Sequence, residues 1–68
     1  MTNKVKTLEM MNQTEKDEAL LIAARDGDVE QTKSLLSAGA DVNKQNDILR
    51  TPLHMASWNG HVDVVHVL

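Results

Sequence analysis

The chain repeats itself. Leu20 and Leu53, Ala23 and Ala56, Gly27 and Gly60, Val29 and Val62, and Leu35 and Leu68 are five identities at one constant offset of about 33 residues. Near-matches join them: Ile22 with Met55, Ala24 with Ser57, Glu30 with Asp63. The matches fall on apolar helix positions and on a glycine turn. A chain of this kind folds as copies of one unit that stack, because a single small unit cannot bury its own apolar face.

Local signals place the elements. Met1–Gln13 is polar and mixed in charge and reads as a flexible lead, 1–13, since termini order poorly unless docked. Val5, Leu8 and Met11 lie at helical spacing, so a frayed helix is the alternative there. The first helix is expected to begin near Thr14, with Thr14 and Asp17 forming a capping box. Ala19, Leu20, Ile22 and Ala23 are its expected buried stripe, Arg25 closes it and Gly27 ends it. Asp28 is the N-cap of a second helix over about Val29–Ser37, which Gly39 terminates in the left-handed conformation. Ala40–Arg50 carries turn chemistry and reads as an extended finger or loose hairpin without a regular strand. Thr51 caps a third helix with Pro52 at its first position, where the missing N–H is no loss, and His54 is placed to reach back toward the cap. The third helix ends at Asn59-Gly60, and a fourth starts at His61 and still runs at Leu68.

Thr51-Pro52-Leu53-His54-Met55-Ala56, Asn59-Gly60-His61-Val62-Asp63-Val64-Val65 and Gly39-Ala40-Asp41-Val42-Asn43 together resemble the ankyrin-repeat family. The resemblance covers about Lys16 to Leu68. It implies an all-α solenoid of stacked antiparallel helix pairs joined by a finger or hairpin loop, with an N-capping repeat at 14–45 and a truncated second repeat at 46–68. Two departures stand out. Glu18-Ala19-Leu20-Leu21 replaces Thr-Pro-Leu-His in the first unit, as in a polar-faced capping repeat. Leu49 stands where the family carries a turn glycine, and a positive φ there would cost leucine about 1–2 kcal/mol. Because the second unit stops mid-helix, the chain is expected to be the N-terminal part of a longer array, with an open C-terminal face able to self-associate.

The resemblance also implies function: a non-catalytic scaffold or adaptor that binds a protein partner on the concave helix and finger surface. The alternative is a regulatory or targeting segment of a longer multidomain protein, an enzyme among them. Carried over position by position, the protein-binding residues are Trp58, Asn59, Arg25, Asp26, Gln45, Asp47, Ile48 and Arg50. Trp58 has two readings, one packed partly against the neighbouring helix and one as an exposed aromatic anchor.

Other chemistries find little support. The net charge is −3 with no run of Lys or Arg, against the basic patch of a nucleic-acid binder. No apolar stretch approaches the ~20 residues of a membrane span. Met1–Thr14 lacks a signal-peptide core, so a cytoplasmic or nuclear location is expected. Cysteine is absent. His54, His61 and His66 are not at the spacings of three or four that suit helical zinc ligands; His54 reads as a structural hydrogen-bonding residue and His61 as a helix-start residue. Glu9, Glu15, Asp17 and Glu18 read as solvated residues favoured by the helix dipole. No nucleophile motif or phosphate loop is present, and no cofactor is expected.

Overall fold

The computed structural model describes residues 7–68. A 3₁₀ turn, Leu8–Met10, precedes four helices: α1 Gln13–Asp26, α2 Val29–Ser37, α3 Pro52–Trp58 and α4 Val62–Val67. Among the described residues there is no strand, and 40–51 crosses from α2 to α3 as an irregular finger. α1 packs on α2 and α3 on α4, and the two hairpins lie side by side, α1 against α3 and α2 against α4.

Helix ends follow the sequence closely except at α1. Its N-cap is Asn12, not Thr14: the Glu15 N–H donates to Asn12 Oδ1 at 2.8 Å and the Asn12 N–H to Glu15 Oε1 at 3.0 Å. Glutamate has the reach to close such a box; the expected Thr14–Asp17 pair forms none, and both residues lie inside the helix. α2 is capped by Asp28, whose Oδ1 accepts from the Gln31 N–H at 3.0 Å. At α3 the Thr51 N–H donates to His54 Nδ1 at 3.1 Å while Thr51 Oγ1 accepts from the His54 N–H at 3.3 Å. α1, α2 and α3 end alike: a left-handed glycine, then an amide that reaches back to satisfy an otherwise orphan carbonyl (Asp28 N to Ala23 O, Ala40 N to Leu35 O and His61 N to Ala56 O, each 2.9 Å).

Two small cores result. Leu20, Ala23, Leu35 and Ala40 form the first, covered by Leu8, Met11, Ala19, Leu36 and Leu68. Residues 1–6 of the expected flexible lead, Val5 among them, lie outside the described residues; beyond them Leu8 and Met11 dock on this core. Ala24, Ala56 and Val64 form the second, at the seam between the hairpins, with Val29, Met55, Val65 and Leu68 around it. Alanines on the facing helices leave little side chain between the backbones, so close packing serves in place of bulk. The stripe expected on α1 needs one correction. Ile22 is 50% exposed and Leu21 is buried in its stead, because α1 has two neighbours and its buried arc spans Leu20, Leu21, Ala23 and Ala24.

Asp17 needs a further correction. It was expected to be solvated and is only 6% exposed. Its Oδ1 accepts from Gln13 Nε2 and from the Asp41 N–H, both at 2.7 Å. Gln13 Nε2 also donates to Gly39 O at 3.0 Å and Lys16 Nζ to Ala38 O at 2.9 Å. The polar start of α1 thus ties down the carbonyls just past α2 and the Asp41 amide at the start of the finger.

The seam holds a contact that the sequence did not indicate. His61 occupies the N-cap position of α4 but makes no side-chain cap bond. Its ring lies over Gly27 of the first hairpin, and Nε2 donates to the Arg25 carbonyl at 2.9 Å. One imidazole therefore links the two turns across the repeat boundary.

Candidate functional site

The finger is organised by Asn46. Its Oδ1 accepts from the Ile48 and Arg50 N–H groups at 2.9 and 3.0 Å. Its carbonyl accepts from Leu49 N and its own N–H donates to Arg50 O, both at 2.9 Å. These bonds close residues 46–50 into a tight turn with Leu49 at φ 63°, so the left-handed position anticipated from the sequence is real. Ile48 and Leu49 at the tip are 66% and 67% exposed. Leu49→Gly is expected to stabilise the chain by about 1 kcal/mol: it relieves a strain of about 1–2 kcal/mol and adds part of the chain-entropy penalty of glycine. A rise in the urea midpoint at unchanged slope checks this; an unchanged or lower midpoint would contradict it.

Between α1 and this finger runs a groove. One cavity of about 320 Å³ is lined by Glu18, Leu21, Lys44, Gln45, Asn46, Asp47 and Ile48. A second of about 280 Å³, sharing Glu18, Leu21 and Asn46, adds Ile22, Arg25 and Met55. The structure therefore gathers Gln45, Asp47, Ile48 and Arg25 along one groove. Glu18, Ile22 and Arg25, spaced at four and three residues, are one exposed face of α1, and that spacing was the unused signal for Glu18 and Ile22. Leu21, Asn46 and Met55 were also missed; only the packing of finger on helix brings them there.

Trp58, the last residue of α3, and Arg50, near the end of the finger, form a separate pair. Trp58 is 76% exposed, and the Arg50 guanidinium carbon stands 4.7 Å from the centre of its ring, within cation–π range. Of its two readings, the packed one is not what the structure has. Asn59 caps its own helix, Nδ2 donating to Met55 O at 2.9 Å. Arg25 Nε donates to Asp26 Oδ1 at 2.9 Å; that bond first, and the Asp26 charge second, raise the Arg25 pKa above its ordinary value. Both side chains are exposed, so the pair adds little to stability. His54 Nδ1 is engaged at Thr51 and His61 Nε2 at Arg25. Among the described residues no group of three or more His, Cys, Asp or Glu is placed to hold a metal, and no helix is long and apolar enough to cross a membrane.

Comparison with known proteins agrees with this architecture. Residues 20–68 match a family profile described as ankyrin repeats (many copies). The chain is 48% identical over 56 residues to ankyrin repeat domain-containing protein 7 of Homo sapiens, covering 79% of this chain and 22% of that one. It is 47% identical over 50 residues to the protein VAPYRIN-LIKE of Medicago truncatula, covering 74% and 11%. It is 44% identical over 55 residues to the 2-5A-dependent ribonuclease of Mus musculus, covering 79% and 8%. The match thus spans under a quarter of the length of each of these relatives. With the profile covering most of the chain, the chain belongs to the ankyrin-repeat family.

Proposed function

We propose that the chain is a non-catalytic binding module that holds a protein partner on the α1–finger groove and on the Arg50–Trp58 stack. Ankyrin repeats are, as a class, protein–protein interaction modules. Residues 14–45 act in this reading as the first repeat and 46–68 as the second. The observation that carries it is Trp58: a rigid side chain of large area, 76% exposed, contributes little to the fold and is free to bury against a partner. Binding rests on shape and charge complementarity, with Arg25, Asp26, Gln45, Asp47, Ile48, Arg50 and Asn59 around the aromatic anchor. Tryptophan and arginine are the residue types most enriched where interface energy concentrates.

A random-peptide library selected on the immobilised chain tests this. Trp58→Ala is expected to weaken the selected binders by about 30-fold, equivalent to about 2 kcal/mol, while leaving the unfolding midpoint nearly unchanged, as for an exposed site. Equal binding by wild type and Trp58→Ala would remove the stack from the site, and a selection that yields no binder would count against the whole proposal.

A second reading, a regulatory or targeting segment of a longer protein, is favoured by the small share of each relative that the chain spans, the ribonuclease included. Self-association belongs to the proposal as well. Ser57, Gly60, His61, Val62, Val65 and His66 line a shallow cavity of about 270 Å³ on α3 and α4, suited to a second copy. Sedimentation as a clean monomer at high concentration would exclude it.

A further inference from the structure

Asn59-Gly60 is the one asparagine–glycine pair in the sequence; the other asparagines precede Lys, Gln, Lys and Asp. We infer that Asn59 is a site of spontaneous deamidation, held in check by the folded α3–α4 turn and released when that turn opens. The chemistry needs only water. The Gly60 amide nitrogen attacks Asn59 Cγ, the new C–N bond closes a five-membered succinimide, and the Cγ–Nδ2 bond breaks with loss of ammonia, which carries off the amide proton. Water then opens the ring at either carbonyl, giving aspartate or isoaspartate. Glycine favours the step because it has no side chain to obstruct the approach and few limits on its backbone angles.

The folded turn withholds each participant. Asn59 Nδ2, the leaving group, donates to Met55 O at 2.9 Å. The Gly60 N–H, the nucleophile, donates to Ser57 O at 3.1 Å. Asn59 sits at φ −94° and ψ 4°, the end of a helix, where the following amide is turned back to Ser57 O and the side-chain amide is held separately at Met55 O. Both residues are solvent-exposed, so water is at hand and only the backbone geometry stands in the way. That geometry lasts as long as the turn is pinned, and the pin is His61, bonded to the Arg25 carbonyl one repeat away.

The two products differ in consequence. Repeat one already carries Asp26-Gly27 at the position equivalent to Asn59-Gly60, so the aspartate product fits the turn. Isoaspartate lengthens the backbone by one methylene between α3 and the residue that locks the seam. Either product puts a negative charge at the C-terminal end of α3, where the helix dipole disfavours it, beside Trp58. The inference is independent of the proposed binding role.

The test incubates the full chain in native buffer and in concentrated urea, with peptide mapping by mass spectrometry and enzymatic methylation of isoaspartate. In urea, Asn59 is expected to convert at least about tenfold faster than Asn43 or Asn46, and native buffer is expected to slow Asn59 by about tenfold or more, the factor by which the turn stays closed. His61→Ala is expected to raise the native rate and leave the urea rate alone. Conversion of Asn59 in urea no faster than Asn43 and Asn46, or equal rates in native buffer and urea, would overturn the inference; both readouts use the unmodified chain and so do not depend on a variant folding.

Discussion

Gly27→Ala is expected to destabilise the chain by about 3 kcal/mol or more, the larger of two unequal glycine effects. Gly27 and Gly60 have nearly the same backbone, φ 77° and 73°, so an added side chain meets the same strain of about 1–2 kcal/mol at each. Their surroundings differ. A Cβ on Gly60 meets nothing within 4 Å, whereas one on Gly27 would lie 2.6 Å from His61 Nδ1. Moving that ring breaks its bond to Arg25 O, a loss of about 1 kcal/mol, and leaving it in place overpacks the seam, at about 1–3 kcal/mol. Domains carry only about 0.05–0.15 kcal/mol of stability per residue, so Gly27→Ala should remove a large share of the stability of a chain this short. Urea unfolding of both variants checks this. In a His61→Ala background the Gly27→Ala penalty should fall toward that of Gly60→Ala, a coupling of about 1–2 kcal/mol. Equal effects of the two glycine variants, additive with His61→Ala, would show that the imidazole does not lock the hairpins.

Asp17→Ala is expected to cost about 3 kcal/mol, a large effect for a helix-surface carboxylate by type. The substitution strands the Asp41 N–H and takes from Gln13 Nε2 the stronger of its two acceptors, both donors now lying 2.7 Å from the same buried oxygen, and leaves Gln13 only Gly39 O at 3.0 Å. A hydrogen bond to a charged group contributes about 1.5–3 kcal/mol, and leaving a partly buried amide unpaired costs about 1–3 kcal/mol. Asp17→Asn retains an acceptor oxygen and should cost about 1 kcal/mol. The amide proton of Asp41 supplies a second readout: its protection from exchange should fall in Asp17→Ala and largely survive in Asp17→Asn. Two variants equally mild, with Asp41 still protected, would return Asp17 to the solvated role its sequence context suggests.

Where one residue type does one job, the fold was legible before any coordinate. Asp28 and Gly39 bracket α2, Pro52 follows the Thr51 cap, and Leu49 takes the left-handed angle that its place in the turn implied. Legibility failed where several residues compete for one role. Asn12 and Thr14 are both good caps, and the reach of Glu15 decides for Asn12. Ala19–Ala24 is apolar throughout, so periodicity cannot phase it; the second neighbour of α1 buries Leu21 and turns Ile22 out. The burial of Asp17 and the seam contact of His61 were missed for a shared reason. Their partners, Asp41 and Arg25, are 24 and 36 residues away, and helix-local rules say nothing about contacts at that range. The candidate site divides the same way. Ile48, Asp47, Gln45 and Arg25 follow from position in the repeat, while Leu21, Asn46 and Met55 enter only once the finger lies against α1.

All of this depends on the two hairpins standing side by side, and nuclear Overhauser spectroscopy on the isotopically labelled chain tests that most directly. Close approach of the His61 ring protons to the Gly27 α-protons is expected, together with contacts from the Val64 methyls to Ala24 and Ala56, the residues of the seam core. Helical shifts in all four segments without a single cross-peak between the first hairpin and the second would contradict the stacked arrangement.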